Sequence, residues 1–404
     1  MKSPHPADRD VHLPFPFPTP DLLEPPPEFA RLRAERTLAR VSLPTGDTAW
    51  LATRYDDVRT VLGDHRFSRA AAARPGAPRL RPVPPDRASI MSLDAPEHTR
   101  LRRLVAPAFA TGRVEALRPT IEATVDRLLT AMAHTGGPVD LVRAYATPLP
   151  MAVICELLGV PHDRRDDFRR WTDSTLLLRP GAADEVAAAR DALSAYLGTL
   201  VEQKRREPGD DLFSVLVTAH DQDDRLTRDE LLTFGSTLLT AGYHTVAAGV
   251  ANGTLTLLRH PGTVQLLHDR PELVPVAVEE LLRHTPAAAS GGTIRVAVTD
   301  VELSGVTVRA GEAVIPATSS ANRDGSVFAD ADRFRLDREH NRHLAFGHGI
   351  HHCLGARLAR IELETAISGL TRRFPSLRLA VPPTELDWGA SSMIRALRAL
   401  PVAW

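Results

Sequence analysis

A helical pattern over residues 227–258 limits the fold of this 404-residue chain more than any other stretch. Thr227-Arg-Asp-Glu230 has the form of a capping box, in which the Thr hydroxyl serves an orphan N–H and Glu230 reaches back to the cap. No proline interrupts the pattern before His260-Pro261. At 1.5 Å per residue, about 32 residues reach roughly 48 Å and cross a whole domain. The middle is small and apolar (Ala241, Gly242, Ala247, Ala248, Gly249), so something bulky can lie against it.

Amphipathic periodicity near residues 114–134, 163–175, 183–206 and 210–220 predicts more helices, and residues 272–284 another. Residues 50–55, 293–298, 306–308 and 313–315 read as short strands. The fold class expected is therefore mainly α with small β-sheets. Prolines punctuate residues 1–27, which predicts an irregular N-terminal arm, and residues 28–404 form one domain with no internal repeat or linker. Pro75, Pro78, Pro82, Pro84 and Pro85 make residues 72–90 a loop, and a loop that long in a compact enzyme is usually functional.

Composition narrows the classes. A net charge of −1 argues against a nucleic-acid binder. Two cysteines, Cys155 and Cys353, are too few for a disulfide framework and fit a reducing cytoplasm. The N-terminus has no apolar signal region, and no run is long enough to span a bilayer, so no membrane association is expected.

The chemistry concentrates in Phe346-Gly-His-Gly-Ile-His-His-Cys353-Leu-Gly355. Gly347 and Gly349 permit positive φ, so the turn can aim backbone N–H groups at the Cys353 sulfur. Residues 356–364 then read as a helix, whose N-terminal dipole lowers the pKa of a thiol placed there. A thiolate suits a metal, and it is one of the few ligands that pushes electron density onto haem iron. A zinc site on His348, His352 and Cys353, as in a hydrolase, is a second possibility, weakened by the two glycines that disfavour a helix there.

This segment matches every specified position of F-G-x-G-x-H-x-C-x-G and so resembles the haem-binding signature of the cytochrome P-450 monooxygenases, here of the soluble bacterial type. The resemblance covers nearly the whole chain after residue 45. It implies a single-domain P-450-type fold holding haem b, with Cys353 as the iron ligand, His351 on a haem propionate and Phe346 on the sulfur side of the haem, framed by Gly347 and Gly355. His98 and Arg102, four apart and so on one helix face, look like the family's propionate-binding pair. Arg295 matches the arginine for the other propionate. Glu280, Arg283 and Arg333 look like the family's structural Glu/Arg/Arg triad.

The long helix resembles the family's oxygen-activating helix, with one departure. In Ala241-Gly242-Tyr243-His244-Thr245, the small pair leaves room for dioxygen and Thr245 supplies the expected hydroxyl, but His244 stands where an acid is usual. An imidazole can relay protons near neutral pH. His244 therefore either replaces the acid, only supports the structure, or limits proton supply and so favours coupling or dehydrogenation.

The implied reaction is insertion of one oxygen atom from O2, by hydroxylation or epoxidation, into a bulky hydrophobic secondary metabolite (macrocyclic, polycyclic or peptidic), as in antibiotic biosynthesis. A haem-binding sensor without turnover is the alternative outside enzymes. Pocket walls are expected from residues 75–90, 176–190, 238–245, 287–294 and 391–394. No GxGxxG opens a βαβ unit and no length remains for a flavin domain, so electrons derived from NAD(P)H come from outside. An acidic ferredoxin with its reductase would dock on the face carrying Arg100, Arg103, Arg113, Arg357 and Arg360.

Overall fold

A computed structural model describes residues 12–19, 21–35, 38–81, 84–161, 164–175, 181–221, 226–285, 292–389 and 394–404. The helices, in chain order, are α1 (Pro27–Glu35), α2 (Tyr55–Gly63), α3 (Arg69–Ala72), α4 (Glu97–Val105), α5 (Thr111–Ala116), α6 (Arg118–Thr135), α7 (Pro148–Leu158) and α8 (Arg165–Thr175). They continue as α9 (Ala183–Arg206), α10 (Leu212–Asp221), α11 (Arg228–Leu258), α12 (Thr263–Asp269), α13 (Val274–His284), α14 (Thr318–Ala321) and α15 (Ala356–Arg373). The strands are β1 (Leu13–Pro14), β2 (Ala39–Ser42), β3 (Thr48–Ala52), β4 (Phe67–Ser68), β5 (Val139–Asp140), β6 (Arg295–Ala297), β7 (Val301–Leu303), β8 (Val306–Val308), β9 (Ala313–Pro316), β10 (Arg378–Leu379) and β11 (Pro401–Ala403). The protein is mainly α-helical with small sheets, as its periodicity predicts.

The long helix is α11. Both halves of its capping box form: Glu230 N–H donates to Thr227 Oγ1 at 3.2 Å and Thr227 N–H to Glu230 Oε2 at 2.9 Å. α11 runs through the main apolar core and packs on α7, α9 and α15. Small residues set such approaches: a Cβ at Gly249 would lie 3.1 Å from Leu363 Cδ2 on α15, and one at Gly235 2.4 Å from Phe213 Cζ on α10. α9 follows its predicted range and α8 and α10 lie within two residues of theirs, because their apolar stripes are clear. α7 escaped the sequence reading because nearly every one of its residues is buried, which erases the polar face that marks a period.

The six-stranded sheet has the order β1-β2-β3-β9-β6-β4. β6 pairs antiparallel with β9 at Arg295↔Val314, which anchors Arg295 in the sheet. Of the arm expected over residues 1–27, residues 1–11 and 20 lie outside the described residues, and the described part contains a short strand. β1 pairs parallel with β2, and Phe15 and Phe17 are buried with ring centroids 5.4 Å apart. Pro14 is tolerated because β1 is an edge strand.

The expected Glu280/Arg283/Arg333 triad needs one correction. Arg283 Nε and Nη2 donate to Glu280 at 2.8 and 2.7 Å, but the second guanidinium on Glu280 belongs to Arg338, whose Nε lies 3.0 Å from Oε2. Arg333 is exposed and contributes only its carbonyl, which accepts from Arg283 Nη2 at 3.1 Å and Arg338 Nη2 at 3.3 Å. Both arginines sit in one irregular segment, where no periodicity tells which side chain turns inward.

Candidate active site

The cysteine turn has the backbone expected of it. Gly347 and Gly349 hold φ of +72° and +73°. Cys353 N–H donates to Phe346 O at 2.8 Å, closing the turn three residues before α15 begins. A Cβ on Gly349 would meet Leu62 O at 2.7 Å, so the turn seats directly against the end of α2. Gly349→Ala combines that clash with an unfavourable φ and should cost about 1–3 kcal/mol, read as a lower urea midpoint at unchanged m.

Cys353 keeps accessible surface, yet the protein on its other sides strips enough water to push the thiol pKa up. The Gly355 N–H and the guanidiniums of Arg102 and Arg360 pull it part-way back. The sequence-based expectation of a lowered pKa therefore holds for the local dipoles but not for their sum with burial. Phe346 lies beside this turn, with the Arg360 guanidinium 4.5 Å from its ring centre. Glu279 holds that guanidinium through a 2.6 Å contact to Nε. His348 turns its ring against Gly63, and no group of three potential ligands assembles among the described residues, so the zinc arrangement does not form.

A cluster of cationic and donor groups lies beside the turn. The His98 and His351 ring centres are 4.4 Å apart. Burial lowers the His351 pKa to about 3, reinforced by the positive charge of Arg295, His98, Arg69 and Arg102. Burial likewise brings Arg295 down to about 10, against the pull of Asp94. His351 Nε2 and Arg295 Nε are buried without a hydrogen-bond partner. The structure thus brings together His98, Arg102, Arg295 and His351 from α4, β6 and the cysteine turn. It adds Arg69, which sequence reasoning missed: its buried guanidinium donates to Ile294 O at 2.6 Å and Met91 O at 2.8 Å and braces the Arg295 strand. Nothing in the local sequence marks it, because its partners are backbone carbonyls far along the chain.

On α11, Ala241 and Thr245 are exposed although buried residues flank them along the same helix. Thr245 Oγ1 donates to Ala241 O at 2.7 Å. Gly242 is placed differently from the expectation. A Cβ there would meet Ile154 Cδ1 at 2.8 Å, so its smallness lets α7 approach α11. His244 turns toward α8, with Nε2 3.6 Å from Asp173 Oδ1. Burial lowers its pKa to about 4.

Four of the five arginines expected on the docking face already have acid partners: Arg100 with Glu230, Arg113 with Asp210, Arg357 with Glu115 and Arg360 with Glu279. Among the described residues no acid pairs with Arg103. Of the expected pocket walls, residues 82–83, 176–180, 287–291 and 391–393 lie outside the described residues.

Comparison with known proteins gives the family. The Cytochrome P450 family model matches residues 171–388. Nocardicin C N-oxygenase of Nocardia uniformis subsp. tsuyamanensis is 50% identical over 391 residues, 96% of this chain and 98% of its own. Mycinamicin IV hydroxylase/epoxidase of Micromonospora griseorubida is 46% identical, over 93% of this chain and 94% of its own. The crystal structure of HinD with NMFT and NO superposes with a TM-score of 0.93 at 50% identity, covering 98% of this chain and all (100%) of that one. The chain belongs to the cytochrome P450 family and is a haem-thiolate monooxygenase. Family membership implies haem and dioxygen, with electrons delivered by an external redox partner. No helix of the described residues is long and apolar enough to cross a membrane.

Proposed function

We propose that this enzyme inserts one oxygen atom, by hydroxylation or epoxidation, into a bulky hydrophobic secondary metabolite, using haem b held through Cys353. The observation that carries the reading is a cysteine sulfur at a glycine turn beside two buried, unpartnered nitrogens, His351 Nε2 and Arg295 Nε, within a cluster of cations. Buried donors rarely go unsatisfied, and the two propionate carboxylates of haem b fit these. Cys353 would ligate the iron, His98, Arg102, Arg295 and His351 would hold the propionates, and Phe346, Gly347 and Gly355 would frame the sulfur. Bound there, haem with a thiolate ligand supplies the activation of dioxygen.

The remaining work belongs to the chain. The Gly355 N–H, Arg102 and Arg360 stabilise negative charge on Cys353 Sγ. Because Thr245 gives its proton to Ala241 O, its oxygen lone pairs are free to accept from water and hold a proton at Oγ1. The Ala241 methyl leaves space on the same face. His244 takes the position of the usual acid, and its imidazole stays neutral at working pH. The relatives named for nocardicin C and mycinamicin IV support a secondary-metabolite substrate. Turnover with isotopically labelled dioxygen, a surrogate ferredoxin and reductase, and a panel of bulky natural products should place one labelled oxygen in a product; a product without label would overturn the reading.

The natural electron donor would be an acidic ferredoxin, reduced by NAD(P)H through its reductase and docked near Arg103 and Arg357. Charge attraction of this kind is screened over about 8 Å at physiological ionic strength. The electron-transfer rate should fall as salt is added, though less steeply than five unpaired arginines would give. A rate independent of salt would count against the docking face.

A further inference from the structure

We propose that Asp173 on α8 and His244 on α11 form a two-residue proton store, in which the Asp173 carboxyl does the work of the acid that α11 lacks beside Thr245. This rests on the monooxygenase reading above. His244 Nε2 lies 3.6 Å from Asp173 Oδ1, and the two residues come from helices separated along the chain. The distance is too long for a direct hydrogen bond and short enough for one to form with a small side-chain shift or a bridging water. Exposure is graded across the pair: the Asp173 side chain is 50% exposed and that of His244 16%. Thr245, the next residue, reaches open space on the adjoining face of α11.

The imidazole is oriented for this task. The Thr172 backbone bonds the ring, while Nε2 is buried with no partner. A backbone acceptor on Nδ1 fixes the Nδ1–H tautomer and leaves the Nε2 lone pair facing the carboxyl. The Tyr243 ring sits 4.2 Å from the imidazole, centre to centre, and limits its rotation. The groups that face the Asp173 carboxyl are Arg169 on α8 and Tyr243 and His244 on α11; Thr147, before α7, offers Tyr243 only a hydroxyl.

Burial raises Asp173 to about 6 despite Arg169, while it lowers His244 to about 4. A proton shared by the pair therefore rests on the carboxyl side. The transfer moves one proton and no electrons. Asp173 gives its proton to Nε2, Nε2 passes that same proton to water on the way to Thr245 while Nδ1–H stays on the Thr172 backbone, and the carboxylate recovers a proton from solvent. Asp173 acts through His244 and is a positioning residue in this scheme.

The test has two readouts. Infrared titration of the holoprotein and apoprotein should show a carboxylic-acid band that disappears as pH rises through about 6 and is absent from Asp173→Asn. Hydrogen-peroxide-driven oxidation of guaiacol by the holoenzyme should lose a limb of its pH profile over the same range. In Asp173→Asn, kcat should fall about tenfold or more with KM for peroxide unchanged, as expected for loss of a proton donor. Asp173→Glu should restore the limb. Asp167→Asn, an acid on the same helix that pairs with Arg164 and Arg170 and not with Arg169, should behave as wild type. If Asp173→Asn keeps the wild-type rate and pH limb, or if Asp167→Asn loses as much, the proposal is overturned. Haem uptake and the carbon-monoxide spectrum of these variants report separately on the monooxygenase reading, so the two failures remain distinguishable.

Discussion

Cys353→Ser should fold, retain its helices and lose monooxygenase turnover by roughly 10³-fold or more, about 4 kcal/mol of transition-state stabilisation. Serine is nearly the size of cysteine, and the backbone contact that closes the turn, Cys353 N–H to Phe346 O, does not involve the sulfur. The side chain is accessible, so no packed core is disturbed. What is lost is a sulfur that Gly355, Arg102 and Arg360 help to hold as an anion. A hydroxyl oxygen offers iron far less electron density than a thiolate, and that density is the thiolate's contribution to O–O cleavage. The variant's reduced carbon-monoxide complex should lose the red-shifted Soret band that a thiolate ligand produces. Substantial product formation by Cys353→Ser would remove Cys353 from the role assigned to it.

Glu280→Ala should have the largest effect on stability. The carboxylate is fully buried and accepts from Arg283 Nε and Nη2, Arg338 Nε, Asn341 Nδ2 at 3.2 Å and Arg335 N–H at 2.9 Å. Removing it strands the Arg283 and Arg338 guanidiniums without their counter-charge in the interior, a change that costs about 3–5 kcal/mol. The damage should reach the cysteine turn. Arg283 also donates to Asn322 O at 2.8 Å, and Asn322 Oδ1 accepts the Leu344 N–H at 2.7 Å. Leu344 O in turn accepts the Gly347 N–H at 2.9 Å. The expected result is a much lower urea midpoint at unchanged m, with faster haem release. Cutting the exposed Arg335–Asp337 pair should change stability by no more than about 0.5 kcal/mol. Equal effects from the two substitutions would contradict the network.

Elements with a sharp local signal were legible in the sequence. The capping box of α11, the apolar stripe of α9 and the glycines of the cysteine turn each depend on residues a few positions apart, and each forms where expected. What depends on distant packing was not legible. The choice of Arg338 over Arg333 is made by which side chain reaches Glu280, 58 residues away in the chain. The role of Gly242 is set by Ile154 on α7, and that of Arg69 by the carbonyls of Met91 and Ile294. His244 stood out as a departure from the family's pattern, but its neighbour Asp173 carries no mark until α8 is laid beside α11.

The most direct test of the haem-thiolate assignment is the optical spectrum of the purified, haem-supplemented ferric protein, titrated with a panel of bulky natural products. A thiolate-type Soret band that shifts toward the high-spin form with one scaffold is the expected result, and it would identify the substrate class at the same time. A protein that takes up no haem, or whose band is that of a histidine-ligated iron, would contradict the assignment of Cys353.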